Sequence, residues 1–136
     1  MIPKFRGNRK DNGEWVVGVP IPNSFCNVVH MIPILLTDKV AYPLERLHEY
    51  LIEIVPETLG QFTGLKDKNG VEIFEGDVVE WLGHRGVVEF VLNNQQTMII
   101  GAPGYITDLD YSTDFNTEVI GNIHDNPKIL GQANEN

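Results

Sequence analysis

The sequence predicts a mainly β domain, and two observations carry that prediction. Turn-forming clusters recur at short intervals: Asp11-Asn12-Gly13, Lys66-Asp67-Lys68-Asn69-Gly70, Gly83-His84-Arg85-Gly86 and Asn93-Asn94-Gln95-Gln96. Between them lie runs rich in Val, Ile, Phe, Tyr and Trp, residues that fit a pleated, half-buried surface. Short antiparallel strands joined by such turns read as a small barrel or rolled sheet. The expected fold is therefore small antiparallel sheets with an SH3-like barrel core over residues ~58–125. An irregular N-terminal β region with at most one short helix precedes it.

The elements follow in order. Lys4 to Arg9 and Glu14 to Val19 form a hairpin, because Asn12-Gly13 supplies the positive φ of a tight turn. Trp15 and Val17 share one strand face and Val16 takes the other. Phe25 to Leu36 is apolar enough for one or two buried strands, with Pro33 marking a bend or an edge. The stretch PLERLHEYLIEIV carries both a helical stripe (Leu44, Leu47, Leu51, Ile54) and a strand alternation (Tyr50, Ile52, Ile54). It is divided into a helix from Pro43 to His48 and a strand thereafter. Strands are then expected at Gln61 to Leu65, Val71 to Phe74, Val78 to Leu82, Val87 to Leu92 and Thr97 to Ile100. Gly101 to Gly104 is a loop, Tyr105 to Phe115 is polar and acidic, and Val119 to Ile123 is the closing strand. Residues 131–136 lack periodicity and fray. The division expected is one domain with an N-terminal β part (1–57) and a barrel-like part (58–130).

The 136 residues suit a single core, and 42% apolar with 21% charged residues is ordinary globular composition. No apolar run approaches the roughly 18 residues of a membrane span, and MIPKFRGNRKDNGEW lacks the apolar centre of a secretory signal. The expected location is the cytoplasm. The one cysteine, Cys26, excludes an intrachain disulfide and reads as a small buried hydrophobe.

Charge is unevenly placed. Residues 1–70 hold eight Lys/Arg and eight Asp/Glu, whereas residues 71–136 hold two (Arg85, Lys128) against eleven, so the net −9 lies in the second half. Such a surface repels phosphate backbones, which argues against nucleic acid as a partner of that half. It suits solubility, or a basic protein partner steered by the field.

The run TLGQFTGLKDKNGVEIFEGDVVEW, Thr58 to Trp81, resembles the signature of the YopX family of phage and prophage proteins. Two further segments agree: Lys4-Phe5-Arg6-Gly7 with Gly13-Glu14-Trp15-Val16, and Glu118-Val119-Ile120-Gly121-Asn122-Ile123 with Asn126-Pro127. Together they span about half the chain in the family's order, and Pro20 to Tyr50 matches poorly. The resemblance implies a β-rich fold with an SH3-like core and a phage or prophage origin. It brings no catalytic residues to map. Gly64, Gly70 and Gly76, six apart, are expected where the chain turns sharply and passes near other backbone. Asp67 and Asp77 beside those turns are expected to accept backbone N–H bonds.

Candidate chemistry is sparse. Asp108, Asp110 and Asp114 offer hard oxygens for Ca²⁺ or Mg²⁺, but the run DLDYSTD lacks the central glycine and terminal glutamate of the calcium loop. A solvated loop is the plainer reading. His30, His48, His84 and His124 are scattered, without ligand spacing for zinc. No nucleophile elbow, phosphate loop or dinucleotide fingerprint occurs. Trp15, Phe62, Phe74, Trp81 and Phe90 fall in strands and are assigned to the core, with Trp81 also a candidate for an exposed binding groove. Glu80 and Glu89 are the other binding candidates.

The functional expectation is a phage or prophage accessory protein, not an enzyme and without a cofactor, acting as a protein-binding module on a basic host or phage polypeptide. Homo-oligomers through free β-edges are a further expectation. One alternative is a metal-dependent enzyme using Asp108, Asp110 and Asp114. Another is association with nucleic acid through the basic N-terminal residues Lys4, Arg6, Arg9 and Lys10.

Overall fold

In a computed structural model of the chain, residues 4–23, 27–33, 44–91, 96–101, 104–110 and 113–129 are described. Cys26, Phe25, the Asn93 to Gln95 turn, Pro43 and the terminal residues 131–136 lie outside them. The described residues form eleven strands and three short 3-10 segments, with no α-helical element among them. Two compact units divide the chain, residues 1–61 and 62–136.

The first unit is built on β1 (Phe5–Asn8), β2 (Trp15–Asn23), β3 (Val28–Pro33) and β4 (Ile52–Ile54), antiparallel in the order β4-β3-β2-β1. The Asp11–Gly13 turn joins β1 to β2 as expected. Gly13 has φ 75°, the Asn12 side-chain oxygen accepts the Glu14 N–H (2.9 Å), and the Asn8 side chain donates to the Gly13 carbonyl (2.8 Å). Met31 and Ile54 are fully buried at the centre. They pack over Gly7, where a Cβ would lie 2.5 Å from Ile54 Cδ1 and 3.1 Å from Met31 Sδ, so any larger residue there must displace these two buried side chains.

The expected helix from Pro43 to His48 is instead a 3-10 segment, Leu44–Glu49, with non-helical backbone at Arg46. Six residues are too few to repay helix nucleation when the next ones are drawn into a sheet. Tyr50 to Val55 contributes β4, whose Val29, His30 and Met31 partners on β3 are matched on its other side by the end of β1. There Arg9 bridges Ile54, the Lys10 N–H donates to the Glu53 carbonyl (3.0 Å) and the Val55 N–H to that of Asn8 (2.8 Å). This short strand therefore has no open edge at Glu53 to Val55.

β5 (Gly60–Lys66) begins beside β1, with Arg6 opposite Gly60 and Phe5 opposite Gln61. It continues into the second unit and pairs there with β6 (Glu72–Phe74). Five strands follow: β7 (Asp77–Trp81), β8 (His84–Val91), β9 (Gln96–Gly101), β10 (Gly104–Asp108) and β11 (Thr117–Asn122), antiparallel in the order β10-β9-β8-β7-β11. The β5–β6 hairpin, the sheet and a loop residue enclose a core of Leu65, Ile73, Val79, Val88, Ile99 and Leu109, with Trp81, Ile106 and Val119 packed against it. Consecutive pairs Val78-Val79, Val87-Val88 and Met98-Ile99 are all buried, so both faces of the sheet are covered at its centre.

The expected SH3-like barrel over 58–125 is not found: the strands lie in two antiparallel sheets, and the described residues of that part make no closed barrel. Closure needs a hydrogen-bonded circuit of strands. Here the five-stranded sheet has two ends, β10 and β11, and the last strand returns to pair with β7 instead of with the strand that precedes it. Two further expectations are corrected. Phe90, assigned to the core, is 45% exposed, because it sits two residues beyond the covered Val88 near the end of β8. Gly70 does turn the chain (φ 83°), whereas Gly64 (φ 86°) lies inside β5 where the β5–β6 register shifts, and at neither is there a non-neighbouring atom within 4 Å of where a Cβ would be, so neither marks a close backbone approach.

Candidate functional site

The sequence-derived binding candidates sit on β7 and β8, where strand alternation separates them. Trp81 faces the core, and its cross-strand partner His84 stacks on it (6.4 Å between ring centres, 29° between planes). Its indole N–H is enclosed and has no hydrogen-bond partner among the described residues. The intervening turn is Leu82-Gly83, both at positive φ (47° and 83°), the geometry of a two-residue hairpin. His84 and Arg85, expected in that turn, are thus the first residues of β8.

Glu80 and Glu89 project from the opposite face. Glu80 is in register with Glu118 on β11 and with Arg85 on β8. Two carboxylates directly opposite repel. Each is met by a cation on its outer flank: Arg85 Nε lies 3.3 Å from Glu80, and Lys68 Nζ lies 3.7 Å from Glu118. Glu89, further along β8 and opposite Met98, is exposed.

Asp67 and Asp77 are buried and structural. The Asp67 carboxylate accepts the N–H groups of Asn69 (2.8 Å) and Val71 (2.9 Å) across its own turn, and that of Val119 on β11 (2.9 Å). The Lys68 N–H donates to the Thr117 carbonyl (3.0 Å), so this turn occupies the outer edge of β11. Asp77 accepts the Phe74 N–H (2.8 Å) inside the tight β6–β7 connection.

The Asp108–Asp114 run is organised by Thr113. Its hydroxyl donates to the Asp108 carbonyl (2.9 Å) and accepts the Asp110 N–H (3.0 Å), while the Asp114 N–H donates to the Asp110 carbonyl (3.0 Å). The Tyr105 hydroxyl donates to the Asp108 carboxylate (3.2 Å). Partial desolvation, and then that carboxylate, raise the phenol pKa. Among the described residues, no three His, Cys, Asp or Glu side chains are arranged to hold a metal ion. The four histidines stay apart, on β3 (His30), the Leu44–Glu49 segment (His48), β8 (His84) and the turn after β11 (His124).

Three of the N-terminal cations, Arg6, Arg9 and Lys10, are engaged within their own unit. Arg9 holds Asp11 with two nitrogens (3.0 and 2.8 Å), Lys10 reaches Glu53 (3.1 Å), and the Arg6 guanidinium lies 4.9 Å from the centre of the Trp15 ring. The hydrogen bond to Arg9 holds the Asp11 carboxyl below its ordinary value, and the same bond raises the pKa of Arg9. These pairs leave a depression of about 240 Å³ lined by Arg9, Lys10, Asp11, Leu51, Ile52 and Glu53, with charges of both signs.

The sequence reading missed β10. Tyr105-Ile106-Thr107 has strand-forming residues, but the acids that follow masked them. No helix among the described residues is long and apolar enough to cross a membrane.

No curated protein matches the chain. Among solved structures it is similar to protein EF1440 from Enterococcus faecalis, at 26% identity over 96% of this chain and 99% of that one, with a TM-score of 0.48. The family model described as YopX protein matches residues 4–131. The chain therefore belongs to the YopX family.

Proposed function

We propose that the protein is a non-catalytic accessory protein of phage or prophage origin that binds a basic host or phage polypeptide through its second unit. The observation that carries this reading is the distribution of charge. Residues 62–136 hold twelve Asp/Glu against four Lys/Arg, whereas residues 1–61 hold seven against six. Two of the four cations, Lys68 and Arg85, are taken up by Glu118 and Glu80. Glu89, Asp110 and Asp125 stand exposed. A field of that sign raises the encounter rate with a cationic partner and falls with added salt. The buried carboxylates, which chemistry would need, are spent on main-chain N–H groups.

Affinity capture with the intact chain and with a Glu89→Lys/Asp110→Lys variant tests the reading. A polypeptide of basic isoelectric point is expected with the native chain and lost with the folded variant. Equal capture by both, or a captured set without basic polypeptides, would overturn it.

A further inference from the structure

The two ends of the five-stranded sheet are treated differently. The outer edge of β11 is occupied: the Val119 N–H donates to the Asp67 carboxylate (2.9 Å) and the Thr117 carbonyl accepts the Lys68 N–H (3.0 Å). β10 ends the sheet on its other side. Among the described residues, the hydrogen bonds reaching its backbone from beyond β9 are the Thr107 and Thr113 hydroxyls on the Asp108 carbonyl. An edge strand left in this state is a template for pairing with another chain.

We infer that the β10 edge, Gly104 to Asp108, is the docking site, and that its occupant is a short, extended, lysine- or arginine-rich segment of a partner polypeptide added as a further strand. This rests on the acidic-surface reading above and gives it a place. Charge chooses the occupant. β10 and the loop after it carry Asp108, Asp110 and Asp114 and no Lys or Arg. A second copy of the chain would bring the same acidic run edge to edge, which repels. Tyr105, 62% exposed, offers an aromatic face on which a cationic side chain can lie. The irregularity between Tyr105 and Thr107 sends Ile106 against the core and interrupts the ladder. That limits pairing to a few residues and guards the edge against indiscriminate growth.

Amide hydrogen exchange followed by NMR on the intact chain tests the inference, using a seven-residue peptide of alternating lysine and valine. A control peptide of the same sequence carries N-methyl groups on every amide, keeping the charge but unable to build a ladder. Protection of the 104–108 amides by about tenfold or more with the first peptide, and none with the second, is the expected result. If both peptides bind equally, or protection falls elsewhere, the edge assignment is overturned while the acidic-surface reading survives. If neither binds at low salt, both fail. Concentration-dependent protection of β10 in the protein alone would make a second copy the occupant and overturn the basic-partner assignment.

Discussion

A carboxylate removed from water needs partners, and Asp67 has three main-chain N–H groups from two parts of the chain. Asp67→Ala removes the acceptor of all three and weakens the turn's hold on β11, where the Lys68 N–H bond to Thr117 remains, so a loss of about 3 kcal/mol in a urea titration is expected. A loss below about 0.5 kcal/mol would show that water replaces the carboxylate. Gly7 answers to packing: an alanine methyl must displace Ile54 Cδ1 and Met31 Sδ, and Gly7→Ala should cost about 2 kcal/mol in the same titration. Asp11 is a test of charge. Its folded-state pKa lies below the ordinary 3.8 because Arg9 hydrogen-bonds the ionised form. The pair's contribution is therefore present above the unfolded-state pKa and is lost as pH falls through the folded value. A carboxyl ¹³C titration should place Asp11 below the ordinary midpoint, and Arg9→Gln should return it upward.

At the scale of elements, what could be read in the sequence and what could not divide along local and non-local causes. The β1–β2 hairpin was legible because Asn12-Gly13 dictates its turn within four residues. The strands from β5 to β9 were legible because branched and aromatic residues alternate with turns. The Leu82-Gly83 turn was displaced by two residues, since nothing local announces a leucine at φ 47°. That strain is testable: Leu82→Asn creates the dipeptide this turn prefers, at a side chain that is mostly exposed. A gain of about 1 kcal/mol in thermal unfolding is expected. The overlooked β10 has a non-local cause, a neighbouring strand, β9, that supplies hydrogen bonds the local pattern does not foresee, whereas the expected helix takes the tighter 3-10 form at Leu44–Glu49. Of the candidate site, Asp67 and Asp77 were readable from their turns. Strand alternation then places Glu80 and Trp81 on opposite faces, whereas the pairing of Glu80 with Glu118 depends on a strand that returns from far along the chain.

For the molecule as a whole, the strands expected from Gln61 to Ile100 are present but no closed barrel is built from them among the described residues, because Gly-rich turns build open sheets as readily as barrels. The five-stranded sheet then has two ends, β11 occupied by the Asp67–Lys68 turn and β10 with no further strand beside it among the described residues. The charge of residues 62–136 then decides what the surface can attract. The most direct test is calorimetric titration of the native chain with a lysine-rich peptide across a salt series, beside the Glu89→Lys/Asp110→Lys variant. The account predicts binding at low ionic strength that weakens steeply with salt and is reduced by the reversal. Affinity indifferent to both salt and reversal, or no binding at all, would contradict it.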